Sequence, residues 1–193
     1  MAFGQNFEEE KSSFVNVKTS GLHDVTLVRV GSTSNKTGSK SLSFTLNGGG
    51  EYDDTLYAGV YENADGSEGF EKAKLLDSLA YICGVIDDSV LPQEIKLNNG
   101  KVVNVNTFTG FPVGHKLKVA VQVQYDPYYK EMKPKIQKFF SANGLSASEI
   151  QAGVTEPTQV KKFLNLEDKV KDDTKAKAPA ADPVLDINPE DVF

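Results

Sequence analysis

Ser41-Leu-Ser-Phe-Thr-Leu46 alternates without a break: Leu42, Phe44 and Leu46 fall on one face, and Ser41, Ser43 and Thr45 on the other. A period of two is that of a strand with one face in a core and one turned outward. Gly48-Gly49-Gly50 ends it. Upstream, residues 22–30 (LHDVTLVRV) are apolar and β-branched, and 31–40 (GSTSNKTGSK) are polar and glycine-containing; these read as a first strand and a loop. Downstream, residues 54–61 keep the alternation with Leu56, Ala58 and Val60 inward. Tyr57 and Tyr61 are therefore expected side by side on the outer face.

After the turn residues 63–69 (NADGSEG), Leu75, Leu79, Ile82, Cys83 and Ile86 recur at helical spacing, with Gly84 as the stop. Residues 94–105 (EIKLNNGKVVNV) hold Asn-Gly between two extended runs, the strongest short-range hairpin signal. Residues 115–125 (HKLKVAVQVQY) alternate again, with Leu117, Val119, Val121 and Val123 inward and Lys116, Lys118, Gln122 and Gln124 on a polar, basic outer face. A turn-rich loop, 126–134 (DPYYKEMKP), leads to a return strand at 135–140 with Ile136 and Phe140 inward. Tyr52, Tyr81 and Tyr125 read as packing residues. Ser146-Ala-Ser-Glu149 has the form of a capping box, and 157–166 reads as a second short helix. Residues 171–193 are Ala/Pro/Asp/Lys-rich with few apolar side chains. They are expected to be a disordered acidic tail on a domain spanning 1–170.

The 193 residues are 39% hydrophobic and 25% charged, an ordinary globular composition. The longest apolar stretch, 75–86, is shorter than the roughly 20 residues a spanning helix needs, so no membrane partner is expected. Residues 1–10 show neither a basic n-region nor an apolar h-region, which predicts a cytoplasmic location. Cys83 stands alone with His23 and His115, so neither a disulfide, a metal centre nor a cofactor is expected. P-loop, HExxH and GxSxG patterns are missing, and the adjacent carboxylates Asp53-Asp54 and Asp87-Asp88 point apart in an extended chain. A non-enzymatic protein is the expectation.

The net charge of −6 is unevenly spread: residues 101–140 carry seven Lys against Asp126 and Glu131. Basic residues are 20 Lys and one arginine, Arg29, which suits phosphate contacts more than bidentate base-edge readout. Three strands, a helix and two strands is the element order of the five-stranded oligonucleotide-binding (OB) barrel, here with an inserted hairpin at 94–105. The ligand of such a barrel lies over strands 2 and 3, between the first and last inter-strand loops. Lys36 and Lys40 fall in the first loop, Tyr57 and Tyr61 on strand 3, Lys116 and Lys118 on the next strand, and Tyr128, Tyr129, Lys130, Lys133 and Lys135 at the last loop. Interleaved aromatic rings and lysines are what a single-strand binder needs, since every base offers a π-face and every nucleotide a phosphate. The competing reading is that Tyr57 and Tyr61 pack under a loop or the hairpin, and that Tyr128 and Tyr129 merely form a turn.

The tail ends Asp182-Pro-Val-Leu-Asp-Ile-Asn-Pro-Glu-Asp-Val-Phe193. An OB domain with an acidic tail ending in Phe193 resembles the single-stranded DNA-binding proteins of bacteria and of T7-like phages. Residues 21–85 and 113–130 (VGHKLKVAVQVQYDPYYK) are also similar to a family of small phage replication proteins regarded as single-strand binders, a likeness covering about 21–140. It implies a protein of an infected bacterial cell that coats exposed single-stranded DNA in replication or recombination. It further implies that Asp186, Glu190, Asp191, Val192 and Phe193 recruit a polymerase, helicase or nuclease, with a homo-oligomer as one possible assembly. The chain departs from bacterial relatives in lacking Trp and in its 94–105 hairpin, so stacking would rest on Tyr and Phe. The alternative is a β-barrel protein-interaction or virion-associated module that binds no nucleic acid.

Overall fold

The computed structural model describes residues 16–170 apart from 88, 97–99, 101 and 128, and of Phe70 and Glu71 the backbone only. Tyr128 and the whole expected tail, with Asp186, Glu190, Asp191, Val192 and Phe193, lie outside the described residues. The described chain is mainly β. Seven antiparallel strands form one sheet: β1 (Gly21–Ser34), β2 (Lys40–Asn47), β3 (Asp54–Glu62), β4 (Val90–Lys96), β5 (Val102–Phe108), β6 (Lys116–Asp126) and β7 (Glu131–Ser141). Helix α1 (Phe70–Cys83) follows β3, and α2 (Ala147–Gln151) and a 3-10 turn (Gln159–Phe163) follow β7.

β1 organises the sheet. Its first half, from Gly21 to Thr26, pairs with β6, and its second half pairs with β2. On the edge that β6 leaves free, Gly31 and Ser32 pair with β5, which brings in the expected β4–β5 hairpin. Gly31 permits that approach: a Cβ there would lie 2.6 Å from Val105 Cγ1. β3 and β7 touch without a ladder between them, so the sheet is open and not a closed five-stranded barrel.

Strict alternation fails at four register shifts among the described residues. In β1, Leu27 opposes Leu46 but Arg29 opposes Thr45, which leaves Val28 as the extra residue. Unbroken alternation from Val25 and Leu27 would carry the Arg29 charge into the core, a costly burial. The bulge turns Arg29 outward and seats Val30 inside. In β3, Ser43 opposes Tyr57 and Leu42 opposes Gly59, so Ala58 is extra, and Ser41 opposes Val60 while Lys40 opposes Glu62, so Tyr61 is extra too; Gly59 takes a φ of +102° that favours glycine. This corrects the expected pairing of tyrosines: Tyr57 stays outward, while Tyr61 packs on the core, edge-on to Phe108 at 6.2 Å. In β7, Gln137 is extra. Ile136 and Phe139, not Phe140, therefore enter the main core, where Phe139 meets Phe44 edge-on at 5.0 Å.

That core joins Leu42, Phe44 and Leu46 of β2 to Leu79 of α1, with Leu75, Leu76, Ile82 and Cys83 packed against it. Gly84 ends the helix in a left-handed conformation, donating to the Tyr81 carbonyl. Past it the helical phase is lost, so Val85 packs on the core and Ile86 is fully exposed. Tyr52 and Tyr81 are also exposed, contrary to expectation.

The outer face of β6 and β7 is not the polar, basic surface its alternation predicts. Residues beyond β7 lie over it and build a second core from Ala120, Phe140 and Val160, flanked by Leu22, Phe163 and Leu166. Gln122 is buried there and donates to the Glu167 carbonyl at 2.9 Å. Glu149 ties the layer together. Its Oε2 accepts from the Ser146 N–H and Oγ at 2.9 and 2.8 Å, closing the capping box, and its Oε1 accepts from Thr158 N–H, Thr158 Oγ and Gln159 N–H at 2.8, 2.7 and 2.9 Å. These donors hold its carboxyl well below the usual carboxylate range. The chain leaves the layer along β6, with the Lys169 N–H donating to the Val123 carbonyl at 2.8 Å.

Candidate nucleic-acid interface

On the outer face of β1, β2 and β3, register aligns Arg29 with Thr45 and Thr55, and Gly31 with Ser43 and Tyr57. The residues opposite Tyr57 are small, which leaves space beside its ring. The β4–β5 hairpin lies on the far side of β1 from β2 and β3 and lines the same space. The result is a cleft of about 360 Å³, floored by Ser43 and Thr55, walled by Tyr57 on one side and by Ile95, Val103, Asn104 and Val105 on the other, and reached by Arg29, Thr33 and Ser34. Tyr57 keeps 61% of its surface exposed.

Arg29 is the cationic group of this cleft. Its Nη2 donates to Thr45 Oγ1 at 3.0 Å, and Thr45 Oγ1 lies 3.2 Å from Thr55 Oγ1. The guanidinium Nε is buried with no hydrogen-bond partner. Among the described residues the ion pairs within 4.0 Å all involve lysines, so no carboxylate neutralises Arg29 at close range. Burial lowers its pKa, opposed by the fields of Tyr57 and Asp53. Sequence reasoning weighed Arg29 only as one cation among lysines. The signal that could have found it is the charge standing at a core phase of its strand.

The expected site residues are distributed, not gathered. The first strand runs on to Ser34, so the first loop shrinks to 35–39, where Asn35 Nδ2 donates to Ser39 and Ser41 hydroxyls at 3.1 and 3.0 Å. Lys36 stands exposed on this loop, and Lys40 pairs with Glu62 at 2.7 Å. Tyr61 is held in the core packing described above. Lys116 is exposed opposite Thr26, at the end of β6 nearer the cleft, and Lys118 pairs with Asp24. Tyr129, Lys130, Lys133 and Lys135 lie at the other end of β6 and β7, past the last β1 partner. There Lys133 Nζ sits 3.0 Å over the centroid of the exposed Tyr129 ring and 3.1 Å from Glu131, while Lys135 Nζ is 4.0 Å from Asp126. Lys130 is exposed with a φ of +56°. Four of the candidate lysines thus face a carboxylate, and the field of this basic segment is weaker than its charge count suggests.

Cys83 packs against the core, and burial pushes its thiol up to about 11, opposite to the shift a nucleophilic thiol needs. Among the described residues no helix is long and apolar enough to cross a membrane. Compared with known protein families, the chain matches no family model, and a search of curated proteins finds no match.

Proposed function

We propose that this protein is a non-enzymatic, sequence-nonspecific binder of single-stranded DNA built on an OB-type sheet, acting in phage replication or recombination. The observation that carries the reading is the exposed Tyr57 ring beside the Arg29 guanidinium, on the outer face of the second and third strands. A ring and a cation at this spot can serve a base and a phosphate of one strand, and an OB sheet presents its ligand on this face. The connectivity supports the fold: β1 is shared by β2 and β6, β6 pairs with β7, and β7 returns to touch β3, with β4–β5 as an insertion. Lys36 beyond one end of β1 and Tyr129 with Lys130 beyond the other fit a strand crossing the sheet between its first and last loops. Recruitment of a polymerase, helicase or nuclease by the tail ending in Phe193 rests on sequence alone.

A second reading has one observation in its favour. The hairpin exposes Val90, Leu91 and Val102 on the outermost strand pair, as a protein-interaction module would. A gel shift with oligo-dT and with duplex DNA at two salt concentrations separates the two. Single-strand binding that weakens steeply with salt supports the first; equal affinity for duplex, or no binding, overturns it.

A further inference from the structure

We infer that Arg29 and Tyr57, with the β4–β5 hairpin as the facing wall, form a one-nucleotide subsite in which the guanidinium takes a backbone phosphate and the base lies between the tyrosine ring and the hairpin. This rests on the single-strand reading and adds which phosphate contact matters. Three observations carry it. The first is an incomplete hydrogen-bond set. A guanidinium has five N–H donors, one is given to Thr45 at 3.0 Å, and the buried Nε has no partner. Buried donors are nearly always satisfied, and Arg29 has no carboxylate neighbour at ion-pair distance among the described residues.

The second observation is shape. Ser43 and Gly31 keep the floor low, and Gly31 admits Val105 where a Cβ would collide. Tyr57 then faces the apolar wall of Ile95, Val103 and Val105 across a cleft of about 360 Å³. A base can enter that slot only if it is not stacked on its neighbours in a duplex, so the subsite selects a single strand by geometry. The third is contrast with the lysines. Lys40, Lys118, Lys133 and Lys135 are already paired, whereas the Arg29 fork offers two parallel donors that match a phosphate. Turning the guanidinium about its Cδ–Nε bond re-aims the Nε–H and swings Nη2 off Thr45 Oγ1, so the phosphate takes the place of the Thr45 bond.

Because the chain has one arginine, protein labelled with 15N-arginine gives one Nε–H resonance, and its assignment needs no mutagenesis. Adding oligo-dT should move that resonance downfield, and the same oligomer with neutral methylphosphonate linkages should move it far less. Arg29→Lys keeps the charge but lacks the Nε–H edge, and should weaken oligo-dT binding by about tenfold or more, the scale of a lost charge-assisted bond. Lys36→Ala, which removes one exposed charge, should change it less than Arg29→Lys. If the wild-type protein binds oligo-dT while the Nε–H resonance stays still, or moves equally with the neutral oligomer, the subsite is wrong and the single-strand reading survives. If the wild-type protein does not bind oligo-dT, both fall.

Discussion

Two stretches of outer sheet surface lie side by side in this molecule and have opposite fates. Over β6 and β7, Ala120, Gln122 and Phe140 are buried under the α2 layer, and Glu149 ties that layer with five hydrogen bonds. Over β1, β2 and β3, Tyr57 stands exposed and the Arg29 Nε lacks a partner. The first surface is satisfied and apolar; the second is polar, concave and unsatisfied. Lysine density points to the first, because 101–140 is the basic segment, yet Lys118 and Lys135 face carboxylates and Lys138 lies against Gln159. The difference teaches that a binding surface is set less by how many charges a segment carries than by whether other parts of the chain have already engaged them.

The contrast breaks most visibly on the covered side. Phe140→Ala should cost about 3–5 kcal/mol of stability in urea unfolding, because the ring packs between Ala120, Val160 and Phe163 and leaves a cavity. A loss under 1 kcal/mol would mean that this layer is not a core. Glu149→Gln should come next in stability loss, since an amide cannot accept at both positions from five donors. The sign of its pH dependence follows from the lowered carboxyl value. Its contribution is fully present above about 4.5, the ordinary glutamate value, and fades as pH falls through the folded one. Acid unfolding of Glu149→Gln should therefore be less steep than that of wild type; an unchanged slope would place the acid sensitivity elsewhere.

On the open side the order reverses, with function lost before stability. Tyr57→Ala should weaken oligo-dT binding by about 1–3 kcal/mol if the ring stacks on a base, while urea unfolding shifts by about 0.5 kcal/mol or less. Equal effects on both would assign the ring to packing. The smallest effects should come from the lysines, and they should differ from one another. Lys36→Ala, with no ion pair among the described residues, should lower the salt slope of binding by about one unit, whereas Lys133→Ala should lower it less because Glu131 and the Tyr129 ring already hold that ammonium. Identical slopes for the two variants would show that the ion pair opens when DNA binds.

The capping box was legible because its chemistry is local: Ser146 and Glu149 lie three residues apart and satisfy each other's donors. The first strands, α1 and the pairing of 94–96 with 102–104 were legible from alternation, helical spacing and the Asn-Gly signal for the same reason, although Asn99 of that signal lies outside the described residues. The Tyr61 position was not. Nothing in residues 54–61 marks Ala58 and Tyr61 as extra residues; only the pairing with β2, from Lys40 to Ser43, makes them so. The same holds for Gln137, whose bulge exchanges Phe139 for Phe140 in the main core.

By itself, then, the sequence determined which segments extend and which coils, since periodicity, caps and glycines act over a few residues, but not every end: β1 runs on to Ser34, β4 begins at Val90 and β7 at Glu131. Tertiary structure alone decided which face of each strand is open, which lysines have partners and where the single arginine points. Those outcomes depend on register between segments tens of residues apart: Arg29 reaches the cleft because β2 sets its pairing, Thr107 of β5 seats the hairpin against Gly31, and residues past 141 cover what β6 would otherwise expose. Local rules say where a side chain can point; the neighbour that the rest of the fold brings decides whether it stays in water, in a core or in a cleft.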